Sequence, residues 1–247
     1  MKKPARKSRA RQLDPALLAD LVAANHILAD QGVLDAWGHV SVRDPENPER
    51  FWLSRSVAPS LVTAEDILEH DIDSEPVSPD GRKLYIERYI HGEAYRARPD
   101  VMAVCHHHSP TLVSFSVSRT LLRPLTGPAG FLGTGVPVFD IRDVDKGPVL
   151  IIVNAEQGRA AARALGQHAV LLLARHGAIA VGNSLRQVVW RGVYSELNAR
   201  QQIDAMRLGP DVDYLSPEEA AYAAERVPPD NERAWNLWKL DAAKRRA

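Results

Sequence analysis

The stretch from residue 100 to residue 116, DVMAVCHHHSPTLVSFS, sets three consecutive histidines directly after an apolar run. In an extended strand alternate side chains share a face, so His106 and His108 point one way. His107 points the other way, with Cys105 and Ala103, toward an expected wetter or outer-sphere environment. A His-x-His pair can offer two imidazole nitrogens to one metal ion, and a catalytic site of this kind takes a third protein ligand while leaving positions open. His176, in LLLARHGAIAVG, also follows an apolar run and precedes Gly177, where the chain can turn sharply. It could close a facial set with His106 and His108. His168 lies before that run, at its wrong end, and reads as a helix-terminal surface residue. Without a third partner, the His-x-His pair would read equally well as surface or hydrogen-bonded histidines.

Two further groups could supply acid, base or anion-binding chemistry. Glu87, His91 and Tyr95 follow one another at four-residue spacing, which puts them on one helical face. Glu87 could act as acid or base on a metal-held substrate, or as a ligand, with His91 in support. The plainer reading is a surface Glu–His pair beside a partly buried tyrosine. His39, Ser41 and Arg43 alternate along one strand face, and Ser54–Arg55 follows on the neighbouring segment. A pocket containing His39 and Arg55 suits an anionic substrate, because the guanidinium fork matches a carboxylate. Either arginine could instead serve a structural ion pair. Cys105 and His106 face opposite ways on their strand and form no nucleophilic dyad, so Cys105 reads as a buried strand residue.

The elements that must hold these groups are legible in outline. Asp14–Pro15 is a helix start, Leu17, Leu21 and Leu28 mark its apolar face, and Gly32 ends it. WGHVSVRD and RFWLSRS read as a hairpin around the turn-rich DPENPE. Thr63 to Asp66 resembles a capping box that leads into a strand. Residues 83–97 read as a helix, VMAVCHH as a strand, and a second helix starts at Pro110. The glycine- and proline-rich residues 119–150 are loop with one short strand. VLIIV reads as a strand, NAEQGRAAARAL as a helix closing at Gly166, and AVLLLARHGAIAVG as a strand pair. Residues 184–208 are the longest periodic stretch and read as a helix, with Val189, Val193 and Leu197 in one row at four-residue spacing and Gly209–Pro210 as the stop. Helices interspersed with apolar strands imply a layered α/β architecture with a mixed sheet. Neither a GxGxxG nor a P-loop pattern supports a nucleotide site.

Bulk properties narrow the possibilities further. The 247 residues are 45% hydrophobic and carry 31 basic and 31 acidic side chains, so nothing in the body steers the chain toward nucleic acid. Residues 1–12 form a basic segment that lacks the apolar middle of a secretory signal and read as a disordered tail. Residues 13–247 read as a single domain with a helical extension from about residue 210. No run approaches the ~20 apolar residues of a membrane span. A single cysteine leaves no intrachain disulfide. A cytoplasmic protein with no membrane or nucleic-acid partner is expected. In the extension, Trp235 and Trp238 read as packing over the core or a neighbouring subunit, with an aromatic wall over a substrate, contributed in trans, as the alternative.

WGHVSVR, ERYIHGEAYRARPDVMAV, CHHHSP and LLLARHGAIAVG, in this order and spacing, resemble the class II aldolase and adducin family over roughly residues 14–209. The resemblance implies a three-layer α/β/α sandwich with a central mixed, largely antiparallel sheet. It also implies one zinc or manganese ion per subunit, held by His106, His108 and His176, with Glu87 as the catalytic glutamate. It further implies a homotetramer with sites near subunit boundaries. Where sugar-phosphate aldolases of the family carry a Gly-Asn pair, this chain has Gly38–His39. With SRSVAPSLVT and RPLTGPAGFLG, that resembles the decarboxylating branch, which acts on hydroxylated aromatic or pyridine dicarboxylates. The expected activity is therefore a metal-dependent decarboxylase with Glu87 and His39 as catalytic groups, and Arg55, Ser41 and His91 at a small anionic substrate. The alternatives are an aldolase acting on a non-phosphorylated hydroxy-carbonyl compound and a non-catalytic adducin-like scaffold.

Overall fold

The computed structural model describes residues 12–226 and 232–246, so the basic tail proposed for residues 1–12 lies almost wholly outside the described residues. Seven strands form one sheet among the described residues: β1 (His39–Arg43), β2 (Arg50–Ser54), β3 (Ile67–Asp71), β4 (Ala103–His107), β5 (Val138–Phe139), β6 (Val170–Leu173) and β7 (Gly177–Gly182). Their order is β3-β2-β1-β4-β7-β6-β5, and every pairing is antiparallel except β5 with β6.

Strand parity divides the molecule into layers. Val40, Val42, Ala103, Cys105, Ala178 and Ala180 face a core shared with α1 (Pro15–Asp30), with α3 (Pro110–Val117) and with α5 (Leu185–Leu208). Leu53, Val104, Leu171, Ile179 and Val181 face the opposite core, beneath α2 (Tyr89–Ala97) and α4 (Ala155–Leu165). Helices cover both faces of the sheet, so its strands bury residues toward both layers, apolar for the most part, with His39, Ser41 and Arg43 forming a polar row against α2 on one face of β1. The result is the expected three-layer sandwich with a mixed, largely antiparallel sheet. After α5, α6 (Pro217–Arg226) packs on the 3-10 segment Gly127–Leu132, and α7 (Glu232–Lys244) packs on α1. No helix among the described residues is long and apolar enough to cross a membrane.

Local signals act as anticipated at the start of α1 and before β3. The Asp14 carboxylate accepts from the N–H groups of Ala16 and Leu17 at 3.0 Å, and Asn154 and Ser184 cap α4 and α5. Asp66 Oδ2 accepts from the Thr63 N–H at 2.9 Å, and the turn it caps delivers the chain into β3.

Four expectations need correction. Residues 83–97 are not one helix: α2 begins at Tyr89, and Glu87 sits in a 3-10 turn, Ile86–Arg88, before it. VLIIV is not a strand: it pairs with none of the seven, and only Ile152 is buried, while Leu150, Ile151 and Val153 stay exposed. Leu197 is 39% exposed although Val189 and Val193 are buried. Steps of four overshoot the 3.6-residue turn by about 40° each, so the row rotates off the core. His107 is fully buried on the α1/α5 side rather than in a wetter environment. Its Nδ1 meets the Ser109 hydroxyl at 2.8 Å, and burial pushes its pKa down to about 3.

Candidate metal centre and active-site cavity

The two central pairings of the sheet bring the histidines together. In the β1–β4 register His39 lies opposite His106, and β4 pairs in turn with β7, whose preceding turn carries His176. That turn is made by Arg175, which takes the left-handed conformation (φ 63°) and is held by an ion pair to Asp140 at 2.6 Å. Gly177 does not supply the sharp turn expected of it. Its role is close approach: a Cβ there would lie 2.2 Å from the His107 carbonyl oxygen. Gly38 has a similar role on the other side, where a Cβ would lie 3.0 Å from the His106 carbonyl oxygen and 2.6 Å from Leu34. The two glycines therefore let β1 and β7 close on β4 around the histidines.

His108 Nε2 stands 3.0 Å from His106 Nε2 and 3.1 Å from His176 Nε2. Glu87 Oε2 lies 3.3 Å from His106 Nε2 and 3.4 Å from His176 Nε2. One ligating atom from each of these four residues falls within 4.8 Å of all the others. Hydrogen bonds at the far side of the rings decide what the close nitrogens are. His106 Nδ1 donates to the Ala178 carbonyl at 3.1 Å, and His108 Nδ1 donates to the Asp35 carboxylate at 3.1 and 3.2 Å. Both rings then present bare lone pairs at Nε2, which repel each other unless a cation stands between them. Nitrogens that each lie ~2.0–2.1 Å from one ion are about 3 Å apart when they are neighbours in its shell, so the spacing fits a divalent ion. A carboxylate bonded to the far nitrogen of a ligating histidine is a usual accompaniment of such sites.

Asp35 is a functional residue that sequence reasoning missed. Its Oδ1 also accepts from the N–H groups of Trp37 and Gly38 at 2.8 and 2.9 Å, an Asx turn that fixes the carboxylate beneath His108. Burial opposes its ionisation, but these backbone donors and His108 outweigh burial and hold its pKa below the ordinary value. The signal was present in DAWGH, an aspartate placed to cap its own turn just before the glycine–histidine pair. Glu87 is fixed from the other side: the N–H of Ile152, in the misassigned VLIIV segment, donates to its Oε1 at 3.3 Å. Burial works against its ionised form as well, yet His106 and His176 pull its pKa well below the carboxylate range.

A cavity of about 260 Å³ opens onto this centre. His39, Glu87, His108 and His176 line its floor, and Trp37, Leu84, Tyr85, Ile86 and Ile151 form apolar walls. The His39 ring packs on Tyr85, with centroids 4.3 Å apart. Behind His39 runs a buried chain of polar contacts. His39 Nδ1 meets His91 Nε2 at 2.6 Å, His91 Nδ1 meets Ser41 Oγ at 2.6 Å, and Ser41 Oγ meets Tyr95 OH at 2.7 Å. Ser41 and His91 are fully buried and do not line the cavity, so their placement is behind His39 and not at the substrate. Burial, reinforced by neighbouring histidines, keeps His39 and His91 neutral well below the usual imidazole range.

The remaining expected residues take structural places. Arg55 gives its Nε to Asp66 at 2.6 Å and does not line the cavity. Arg43 is buried over the Tyr95 ring and donates to the Tyr95, Arg98 and Pro99 carbonyls at the end of α2. Cys105 is buried and its thiol pKa is pushed up by burial; His168 is exposed and distant from the centre. Trp235 is 2% exposed in the α1/α5 core and Trp238 packs against that core, as the packing reading expects; the indole that lines this chain's own cavity is Trp37.

Comparison with known proteins agrees with this arrangement. Residues 19–203 match the family model described as Class II Aldolase and Adducin N-terminal domain. The chain is 34% identical over 241 residues to decarboxylase tropJ of Talaromyces stipitatus, covering 88% of this chain and 90% of that protein. It is 28% identical over 242 residues to a 3,4-dihydroxyphthalate decarboxylase of Terrabacter sp., covering 92% and 95%. Among solved structures, an aldolase II superfamily protein from Pseudomonas syringae superposes with a TM-score of 0.77 at 23% identity, covering 96% of this chain and 95% of that one. L-fuculose 1-phosphate aldolase from Glaciozyma antarctica gives 0.74 at 23% identity, covering 96% and 94%. At that identity the structural likeness speaks for the fold alone.

Proposed function

This chain belongs to the class II aldolase and adducin family, and from that premise we propose that it is a metal-dependent decarboxylase of a hydroxylated aromatic or pyridine dicarboxylate. The observation that carries the proposal is the convergence of three histidine Nε2 atoms with the Glu87 carboxylate, three of these four residues (Glu87, His108 and His176) lining the floor of one apolar-walled cavity. The flat walls suit a ring, and the relatives named as decarboxylases cover nearly the whole chain. Zinc or manganese, one ion in each subunit of a cytoplasmic homotetramer, is the form we assign.

His106, His108 and His176 would hold the ion, which supplies Lewis acidity that stabilises negative charge on substrate oxygen. Glu87 Oε2 is poised to take the proton of the substrate hydroxyl and return it to the ring carbon that loses carbon dioxide. The electron pair of the broken carbon–carbon bond stays on that carbon and forms the new C–H bond, so charge and atoms balance. Glu87 Oε1, tied to the Ile152 N–H, keeps the carboxylate from rotating away. His39, neutral and braced by His91, Ser41 and Tyr95, faces the same space and orients the departing carboxylate. Tyr85, Leu84, Ile86 and Ile151 exclude water from the reacting carbon.

The test is to incubate metal-loaded protein with hydroxylated benzene and pyridine dicarboxylates and, separately, with hydroxy-ketones and their phosphates. Carbon dioxide release is expected from the first group. Aldehyde release from the second alone would make the protein an aldolase instead, and inactivity on both would favour the scaffold. Glu87→Gln should retain metal and lose about 10²-fold or more in rate, the usual scale for removal of an acid–base group. An unchanged rate would take Glu87 out of the mechanism.

A further inference from the structure

A dicarboxylate leaves one carboxyl group that does not react, and the cavity needs a cation to receive it. Arg55 fitted that role by residue type, but its guanidinium is spent on Asp66 and lies outside the cavity lining. Arg82, next along the chain, is likewise committed, to Asp80 and to the Glu65 carbonyl. Lys83 is different. It is the only lysine or arginine among the residues lining this cavity. It forms no ion pair or side-chain hydrogen bond within the described residues, and its side chain is exposed at the rim. Its backbone is nevertheless fixed, because the Lys83 carbonyl accepts from the Ser56 N–H at 2.8 Å. Two residues on, the Tyr85 hydroxyl donates to the Val57 carbonyl. The segment 83–85 is thereby stitched to the loop after β2, so the backbone that carries the Lys83 side chain is held at the cavity.

We propose that Lys83 is the specificity-determining cation of this site, receiving the non-reacting carboxylate of an aromatic dicarboxylate whose ring lies between the apolar walls. This rests on the decarboxylase reading for the identity of the ligand, but its evidence is separate: an unpaired cation at the mouth of an apolar cavity above a metal centre. A charge-assisted contact of this kind strengthens binding of the doubly charged ligand and leaves a singly charged one almost untouched.

The experiment measures binding and needs no turnover. Zinc-loaded wild type, Lys83→Met and Lys83→Arg are titrated with phthalate and with benzoate at pH 7.5 and constant ionic strength, using calorimetry. Wild type should bind phthalate more tightly than benzoate. K83M, which keeps the aliphatic stem, should weaken phthalate by about 10-fold or more and benzoate by less than about 3-fold; K83R should recover most of the loss. Equal weakening of both ligands in K83M, or none for phthalate, would overturn the assignment, as would a wild type that fails to prefer phthalate. Carbon dioxide release by wild type with unchanged phthalate binding in K83M would defeat this inference alone. Selective loss in K83M from a protein that releases no carbon dioxide would uphold the cation site and defeat the decarboxylase reading.

Discussion

Asp35 offers the sharpest test of the candidate metal centre, because it would act on an ion only through His108. In Asp35→Asn, the side chain can keep its Oδ1 bonds to the Trp37 and Gly38 N–H groups, so the turn survives. The second oxygen, 3.1 Å from His108 Nδ1, becomes an amide nitrogen, and a donor then faces a donor. His108 retains only Oδ1, at 3.2 Å and already accepting from the two backbone groups, or else it changes tautomer and turns an N–H toward the ion. Loss of such a partner commonly costs ~10–100-fold in metal affinity, which is about 1.4–2.7 kcal/mol. The Asp35 side chain is 47% exposed, and solvent screening places the expected effect near the lower end, about 10-fold.

Competition against a chelator of known affinity, at fixed pH and ionic strength, measures this directly. The apo protein provides the control: with the turn intact, its urea midpoint should move by less than about 0.5 kcal/mol equivalent. Asp35→Ala removes the turn acceptor as well and should cost the apo fold roughly a further 1 kcal/mol. That pattern separates the part played in folding from the part played in orienting His108. Should Asp35→Asn bind zinc and manganese as tightly as wild type, the tautomer assignment at His108 is wrong, and with it the reason for expecting a cation between the rings.

Two further outcomes follow from burial and close approach. His70 stacks on Phe51 and has its pKa lowered by burial from 6.5 to about 4. Between those values the unfolded chain binds a proton that the fold refuses, so stability is level above about pH 6.5 and falls as the pH drops toward about 4, by about 3 kcal/mol in all. Urea unfolding of the apo protein should show that acid slope reduced in His70→Leu, and equal slopes in the two proteins would remove His70 as its source. Gly177→Ala would drive a methyl group into the His107 carbonyl, separating β4 from β7; a loss of about 3 kcal/mol and of metal binding is expected. Wild-type denaturant midpoints and metal content in that variant would refute the packing role given to Gly177.

The legible part of this molecule is the part governed by period and parity. Alternation along β4 alone separated His106 and His108 from His107, and the structure keeps them apart on opposite faces. Capping chemistry located the start of α1, where a side-chain acceptor next to a polar-to-apolar switch leaves few alternatives. What escaped depends on contacts distant in sequence. Nothing near Glu87 signals that the helix begins two residues later, or that the Ile152 N–H, 65 residues on, will hold its carboxylate. The β propensity of VLIIV is real, but a strand forms only where its backbone finds a ladder partner, and that depends on contacts distant in sequence. Arg55 and Lys83 have the same formal charge, and only Asp66 distinguishes the neutralised one from the available one.

The sheet order also explains why chemistry and selectivity can be varied separately in this fold. β1, β4 and β7 lie side by side in its middle, so His39 and His106 stand on strands paired along both edges. His176 sits in the short turn between two such strands. Groups held this way pay little reorganisation when charge develops above them, which is what a site for one kind of bond cleavage requires. The rim is built otherwise: Trp37 and Lys83 come from irregular segments, are exposed, and are fixed through backbone contacts that do not depend on what their side chains are. Substitution at the rim can therefore change which anion enters while the histidines and Glu87 remain in register. On this geometry, a change of substrate class between relatives should be sought first at the positions equivalent to Trp37 and Lys83, and a loss of chemistry at the strand-borne histidines.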